Sequence, residues 1–316
     1  MKAIIYLSLV VCLVSCNYEL NLDEVDAKEK LVLYCFPSNS DTTIIQLSKS
    51  TPIGQKHTGN TRINNADVNL TVNGKVQNIY WNKDSTASLP AQCYYALGKW
   101  NKDDIIQVRA NVEHLPAITA QTSIPDKFPL KEIRLEPLEG SSSILQVQVT
   151  FKDNAVTNDY YGIRLVKKEI NRTDDEAFVS FHSVEFDLKE EPLLNNLADL
   201  DEIFMFSNKY FHNLYIWNDE KIQGQEYTLH LAMDYQKDFD SDWNDHSYKA
   251  EYKIYLYALS PEYFKYLHAL NKLNSNDLGS HGFSSIPLNF SNVNGGIGVV
   301  GGYQISETEW LNNLHR

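Results

Sequence analysis

Apolar and polar residues alternate with a period of two along much of this chain, and turn-forming residues interrupt the alternation roughly every eight to twelve positions, as expected for short β-strands. Leu31 to Phe36 form the first run and stop at Pro37-Ser38-Asn39; Thr42 to Ser48 form the second, alternating around Ile44 and Leu47. A run from Ala66 to Val72 ends at Asn73-Gly74, a dipeptide suited to the positive φ angles of a tight hairpin turn, and Val76 to Trp81 follows. Cys93 to Leu97, Ile105 to Ala110 and Ala117 to Thr122 complete a set of about seven. Short alternating strands in that number predict an immunoglobulin-like β-sandwich over residues 30–125, although the Cys…Trp…Cys arrangement of antibody domains is not reproduced.

The segment Ile124-Pro125-Asp126-Lys127-Phe128-Pro129 reads as a domain boundary, because two prolines bias the backbone to extended conformations and break strand pairing. Beyond it, Leu145, Val147, Val149 and Phe151 alternate with Gln146, Gln148 and Thr150; Tyr160 to Val166, Phe178 to Phe186, Tyr227 to Met233 and Tyr252 to Leu259 read likewise. A helix near 261–273 interrupts them. Ser260 can cap it, Pro261 suits its first position, and Tyr263, Tyr266, Leu267, Leu270 and Leu273 share a stripe. A short helical turn is expected near Leu193 to Leu200, and a glycine-rich strand pair from Gly295 to Gly302. The fold class is therefore mainly β, with residues 126–316 forming a second, larger β-rich domain that holds one or two short helices.

The amino terminus follows a different pattern. Met1-Lys2 supplies one positive charge, Ala3 to Val14 form an apolar run of signal-peptide length, and Leu13-Val14-Ser15-Cys16 looks like a lipobox. Residues 1–15 are then a leader that is removed, and the Cys16 sulfur takes a diacylglyceryl group before the new terminus is acylated. Several acyl chains on one residue anchor firmly, since burial contributes about 0.8 kcal/mol per CH₂. Residues 16–29 are polar and acidic, without sustained periodicity, and read as a tether between lipid and fold. The expected location is the outer membrane, facing the cell surface or the periplasm.

Losing Lys2 with the leader leaves 27 basic side chains against 41 acidic ones, a formal charge of −14. An acidic body of this kind is repelled by phosphate backbones and anionic headgroups, which argues against nucleic acid and leaves the anchoring to the acyl chains. Of four cysteines, Cys12 departs with the leader and Cys16 is taken by lipid, so Cys35 and Cys93 remain. In an exported protein these two form a candidate disulfide, with two buried free thiols as the alternative.

Two stretches carry the letters of known chemical motifs. Gly296-x-Gly298-x-x-Gly301 spells a dinucleotide fingerprint by letter, but that fingerprint needs a helix opening at it and an acidic residue some twenty positions on, and only 15 residues follow Gly301. Close approach of strands explains these glycines better. Asp238, Asp240, Asp242 and Asp245 resemble a calcium loop, yet Trp243 stands where an EF-hand needs glycine and Lys249 where it needs glutamate. A solvated hairpin loop is the favoured reading, with a non-EF calcium site as the alternative. Gly-x-Ser-x-Gly, His-Glu-x-x-His and Cys-x-x-Cys are all absent, and no cofactor signature occurs. Aromatic residues concentrate in the second half, which holds 13 of the 19 tyrosines; Tyr210, Tyr215, Trp217 and Trp243 are the candidate binding rings there.

The lipobox, the Leu31-Val32-Leu33 strand, Ile63-Asn64-Asn65-Ala66-Asp67-Val68, Ile124-Pro125, Ser260-Pro261-Glu262-Tyr263 and Asn292-Val293-Asn294-Gly295-Gly296-Ile297-Gly298 together resemble a Bacteroidota outer-membrane lipoprotein family known as a domain of unknown function. Members are often encoded near TonB-dependent receptors, so the resemblance implies a noncatalytic accessory or binding partner of such a transport system. The family offers no catalytic residues to carry over. The alternative is a surface hydrolase acting on glycans or peptides, whose paired carboxylates leave no spacing signature. Cys16→Ala is expected to leave an uncleaved or mislocalised precursor that incorporates no labelled fatty acid; unchanged labelling and membrane partition would overturn the lipoprotein reading.

Overall fold

A computed structural model of the protein describes residues 28–51, 61–173, 176–194, 213–236, 238–241, 246–275 and 290–312. In chain order, β1 (Leu31–Cys35), β2 (Thr42–Lys49), β3 (Asp67–Val72), β4 (Lys75–Val76), β5 (Tyr80–Asn82), β6 (Cys93–Leu97), β7 (Ile105–Asn111) and β8 (Ile118–Ser123) build the first sandwich. One sheet runs β1-β2-β6-β5 and the other β4-β3-β7-β8. Lettered A to G along the chain, with β4 as C′, this is A-B-E-D against C′-C-F-G, the immunoglobulin arrangement. The alternation seen in the sequence sorts the faces: Leu31, Leu33, Ile45 and Leu47 of one sheet meet Leu70, Ile106, Val108 and Ile118 of the other in a single buried core.

The second sandwich repeats the plan. Its strands are β9 (Leu130–Pro137), β10 (Ile144–Lys152), β11 (Tyr160–Thr173), β12 (Glu176–Ser183), β13 (Tyr215–Asn218), β14 (Glu226–Asp234), β15 (Phe239–Ser241) and β16 (His246–Leu259). Sheet β14-β10-β9 faces a larger sheet in which β12, β11 and β16 are consecutive. Val147, Val149 and Phe151 meet Ile163, Leu165, Ile254 and Leu256 between them. The helix α1 (Pro261–Ser275) follows, where the stripe and cap predicted it. Ser260 Oγ accepts a hydrogen bond from the Tyr263 amide at 3.2 Å, satisfying one of the unpaired donors of the first turn. Leu267 packs the helix against Leu214, Ile216 and Leu259.

After α1 the chain returns to the first sandwich, which corrects the expected division at residue 125. Strand β17 (Ile297–Val300) pairs in parallel with β1, and Val293 and Val300 join the first core. Then β18 (Tyr303–Glu307) and β19 (Leu311–Asn312) cross back to pair with β16. The glycine-rich segment is therefore not a strand pair: its two strands serve different sandwiches. The glycines have a steric reason. A Cβ on Gly298, whose φ is +120°, would lie 1.9 Å from the Leu33 carbonyl oxygen, and one on Gly296 would lie 2.6 Å from that of Leu31.

Cys35 and Cys93 are free and buried, which corrects the expected bridge. Strand β2 lies between β1 and β6, so the two thiols sit about two strand spacings, roughly 10 Å, apart, beyond the reach of a disulfide. They also occupy opposite faces of the sheet: Cys35 pairs with Ile45, which pairs in turn with Tyr94 rather than Cys93. Burial pushes the Cys35 thiol well above its ordinary pKa, and Cys93 Sγ donates to the Pro90 carbonyl at 3.2 Å.

Replacing Gly298 by alanine is expected to destabilise the protein by about 3 kcal/mol or more in urea unfolding, because the strained φ and the collision with Leu33 add. Gly74→Ala, at a φ of +77° with nothing within 4 Å of the added Cβ, serves as the comparison and should cost about 1 kcal/mol.

Candidate functional site

Two of the aromatic residues singled out from sequence are core residues. Tyr215 and Trp217 are 4% and 3% exposed. Strand β13 pairs with the first half of β11 so that Trp217 stands opposite Tyr161 and Tyr215 opposite Ile163, both on the inner face. Trp217 accordingly packs against Phe128, Phe151 and Tyr161, while Tyr215 OH accepts a hydrogen bond from the Phe186 amide at 2.9 Å. The expectation of an exposed patch at these two rings is thereby overturned. Tyr210, Trp243, Asp242, Asp245 and the lipidation residue Cys16 lie outside the described residues. Asp238 Oδ1 accepts from the Ala250 amide at 3.0 Å, and Asp240 pairs through its backbone with Ser247, so this part of the acidic loop is tied into the β15–β16 hairpin.

The exposed apolar surface lies one hairpin away. Strand β12 ends its sheet, and no described strand pairs with its outer edge. Phe178, Val179 and Phe181 are 58%, 50% and 60% exposed, which places apolar side chains on both faces of the strand. On the face away from the core, Phe181 meets the Trp310 ring at 5.9 Å between centroids. The ammonium groups of Lys168 and Lys253 lie 5.5 and 5.4 Å from the same indole, a cation–π arrangement. Each lysine is also paired with a carboxylate: Lys168 with Glu251 at 2.7 Å and Lys253 with Glu307 at 3.1 Å. The Glu307 hydrogen bond raises the Lys253 pKa, keeping the cation in place. The result is an apolar strip set in a charge-balanced border. Sequence reasoning read Phe178 to Phe186 as a strand and passed over its signal: apolar residues on both parities, where a half-buried strand keeps them on one.

A second feature lies near the junction of the sandwiches, beside a cleft of about 310 Å³ bordered by Lys102, Asp126, Asp159, Tyr160 and Ser260. Asp153, Asp159 and Asp219 each bring one carboxylate oxygen within 4.8 Å of the others. These are the oxygen donors that a hard cation such as Ca²⁺ takes. All three also accept hydrogen bonds from the protein: Asp153 from Tyr161 OH and the Gly224 amide, Asp219 from the Asp159 amide, and Asp159 from Thr157 Oγ1, each at 2.7 Å. The cluster thus closes the turns after β10, before β11 and after β13. Partial burial and the neighbouring Asp153 and Asp219 charges raise the Asp159 pKa above the ordinary carboxylate range, against the lowering effect of the Thr157 hydroxyl.

Fold and surface together define a tandem immunoglobulin-like β-sandwich protein with an exposed aromatic edge. The chain belongs to the family described as a domain of unknown function, DUF4249, which matches residues 17–309. None of the curated proteins matches it. Among solved structures, it is similar to a collagen adhesin from S. aureus at 8% identity and a TM-score of 0.22, covering 89% of this chain and 97% of that one. It is also similar to the collagen binding domain of the Erysipelothrix rhusiopathiae surface protein RspB, at 8% identity and a TM-score of 0.21, covering 87% and 96%. Scores this low add nothing to the strand order described above.

Because folding raises the Asp159 pKa, the carboxyl stabilises the fold most below its unfolded pKa, and this contribution declines as pH rises through the folded value. Asp159→Asn is therefore expected to melt at a higher temperature than the parent at about pH 7, with the difference vanishing near pH 3. A variant equally destabilised at both pH values would show instead that the carboxylate is needed structurally.

Proposed function

We propose that this chain is a lipid-anchored, noncatalytic accessory protein of the outer membrane that docks on a TonB-dependent transporter, and that the β11–β12 hairpin makes the contact. The observation that carries this reading is the outer edge of β12, unpaired among the described residues, with Val179 and Phe181 exposed beside Trp310. Exposed apolar sheet edges invite pairing and are normally blunted, so one retained beside an aromatic ring favours a partner surface. Large rings that are half desolvated before contact suit the centre of such a surface. The lipobox at Cys16 and the acidic tether support the location. Confinement of both partners to one membrane raises their effective concentration, so a weak apolar contact suffices. Charge is a poor source of affinity here, since the mature chain is strongly acidic and the lysines of the strip are already paired.

Affinity purification from native membranes after mild detergent extraction tests it. The wild-type protein is expected to enrich a TonB-dependent receptor, and Val179→Lys combined with Phe181→Lys to reduce that enrichment by about tenfold, roughly 1.4 kcal/mol, while the melting temperature stays within about 2 °C. Recovery of the wild-type protein alone, or equal capture by the double variant, would count against the reading.

A further inference from the structure

The outward face of the first sandwich carries a feature that the transporter contact does not use. Tyr34 of β1 and Phe36, just past its end, point away from the core, their rings stacked at 6.5 Å with 28° between planes. Register places Gln46 opposite Tyr34 and Ile44 opposite Tyr95, and Tyr95 opposite Tyr80, whose ring lies 5.4 Å away at 31°. Aromatic rings thus lie on β1, β6 and β5, with Gln46 and Ile44 of β2 between them, across three strand spacings or roughly 14 Å. A groove of about 620 Å³ opens along its first half, walled by Tyr34, Phe36, Thr42, Ile44, Gln46 and Tyr303. This lies within the usual range for small-molecule sites, about 300–1,000 Å³.

Helix α1 packs on the same outward face and fixes one wall of the groove. Tyr263 and Tyr266 of α1 pack on Phe36 at 4.7 and 5.9 Å, and Tyr266 lies 5.9 Å from Tyr34. Rings fixed in this way lose little freedom when a ligand arrives. The wall also offers polar groups: among the described residues, neither the Gln46 amide nor the Thr42 hydroxyl is hydrogen-bonded. Its charge is balanced, because the rim carboxylate of Asp41 is met by Lys99 at 3.1 Å.

These properties select a ligand class. Among the described residues lining the groove, an anion would find no unpaired cation. A purely apolar ligand would strip water from the Gln46 and Thr42 groups without replacing their hydrogen bonds, which costs affinity. A pyranose ring satisfies both requirements, since its C–H face stacks on a flat aromatic ring while its edge hydroxyls donate to and accept from an amide and a hydroxyl. We infer that this face binds a neutral oligosaccharide, with Tyr34, Phe36, Tyr95 and Tyr80 as successive stacking platforms and Gln46 as the central polar contact.

Isothermal titration of the purified mature chain against maltohexaose, cellohexaose, xylohexaose and mannohexaose tests this without any transporter present. Saturable binding to at least one is expected, weakened about tenfold or more by Tyr95→Ala and by Gln46→Ala. Tyr80→Ala, at a residue 43% exposed, should weaken it as well and provides a variant that does not threaten the core. Val179→Lys with Phe181→Lys should leave saccharide binding unchanged, which separates this site from the hairpin. Absence of saturable binding to all four sugars, binding undiminished in Tyr80→Ala and Gln46→Ala, or preference for an oligogalacturonate would overturn the inference.

Discussion

The close passage of Gly298 over the Leu33 carbonyl is the constraint on which the architecture rests. Strand β17 can lie parallel to β1 because no Cβ stands between them, and that pairing carries the chain's far end into the first core, which Val300 joins fully buried, while Val299, opposite Tyr34, is fully buried on the other face of the sheet. Burial of side chains of this size contributes about 1.5–3 kcal/mol each. Asn292 then acts as a clasp, its Nδ2 donating to Val300 O at 2.8 Å and its Oδ1 accepting from Val300 N at 3.0 Å. Two residues further on, the same segment ties the sandwiches together. Thr122 Oγ1 accepts from the Gly302 amide at 2.9 Å and donates to Glu262 Oε2 at 3.0 Å, while Gly302 O accepts from the Ser260 amide at 2.8 Å. Asn39 bridges to both the N–H and C=O of Ile305. The Pro-rich junction at 124–129 is therefore one of three covalent crossings between the sandwiches, and these hydrogen bonds reinforce it, so that it is not a free hinge.

That arrangement explains why the aromatic residues divide as they do. Those that face the interior of the second sandwich are consumed by packing: Trp217, Tyr161, Phe151 and Phe128 form one ring cluster in the second core. Those on outward positions remain available, and each group is held by a neighbour. Helix α1 supports Tyr34 and Phe36 from one side, and two lysines flank Trp310 beside Phe181.

Much of the fold was legible in the sequence because period-two alternation survives wherever a sheet has one buried face. Leu31, Leu33, Leu145, Val147 and Val149 declare their faces directly, and Ser260-Pro261 marks the helix start. The return of β17 was not legible, because a parallel pairing between strands separated by nearly the whole chain leaves no local trace; the glycines signalled close approach but not its partner. The same limit affected Cys35 and Cys93, whose separation depends on β2 lying between their strands. Tyr215 and Trp217 misled for a related reason. A four-residue run with rings at alternate positions is compatible with either face, and only pairing to Tyr161 and Ile163 turns them inward.

The acidic balance of the chain bears on both outward surfaces in the same direction. At a formal charge of −13, the chain gains little by meeting an anionic surface through charge, and the lysines near the exposed strip are already neutralised by Glu251 and Glu307. Apolar area and neutral hydrogen-bonding groups are what remain, at the β12 edge in the first form and along Tyr34, Gln46 and Tyr95 in the second. Salt should then affect either contact little, because screening weakens exposed charge pairs but leaves the burial of apolar surface intact. On the proposed lipid-anchored reading, such contacts would work without adhesion to everything nearby: repulsion would suppress nonspecific association, and the tether would supply the local concentration that specific but weak contacts require.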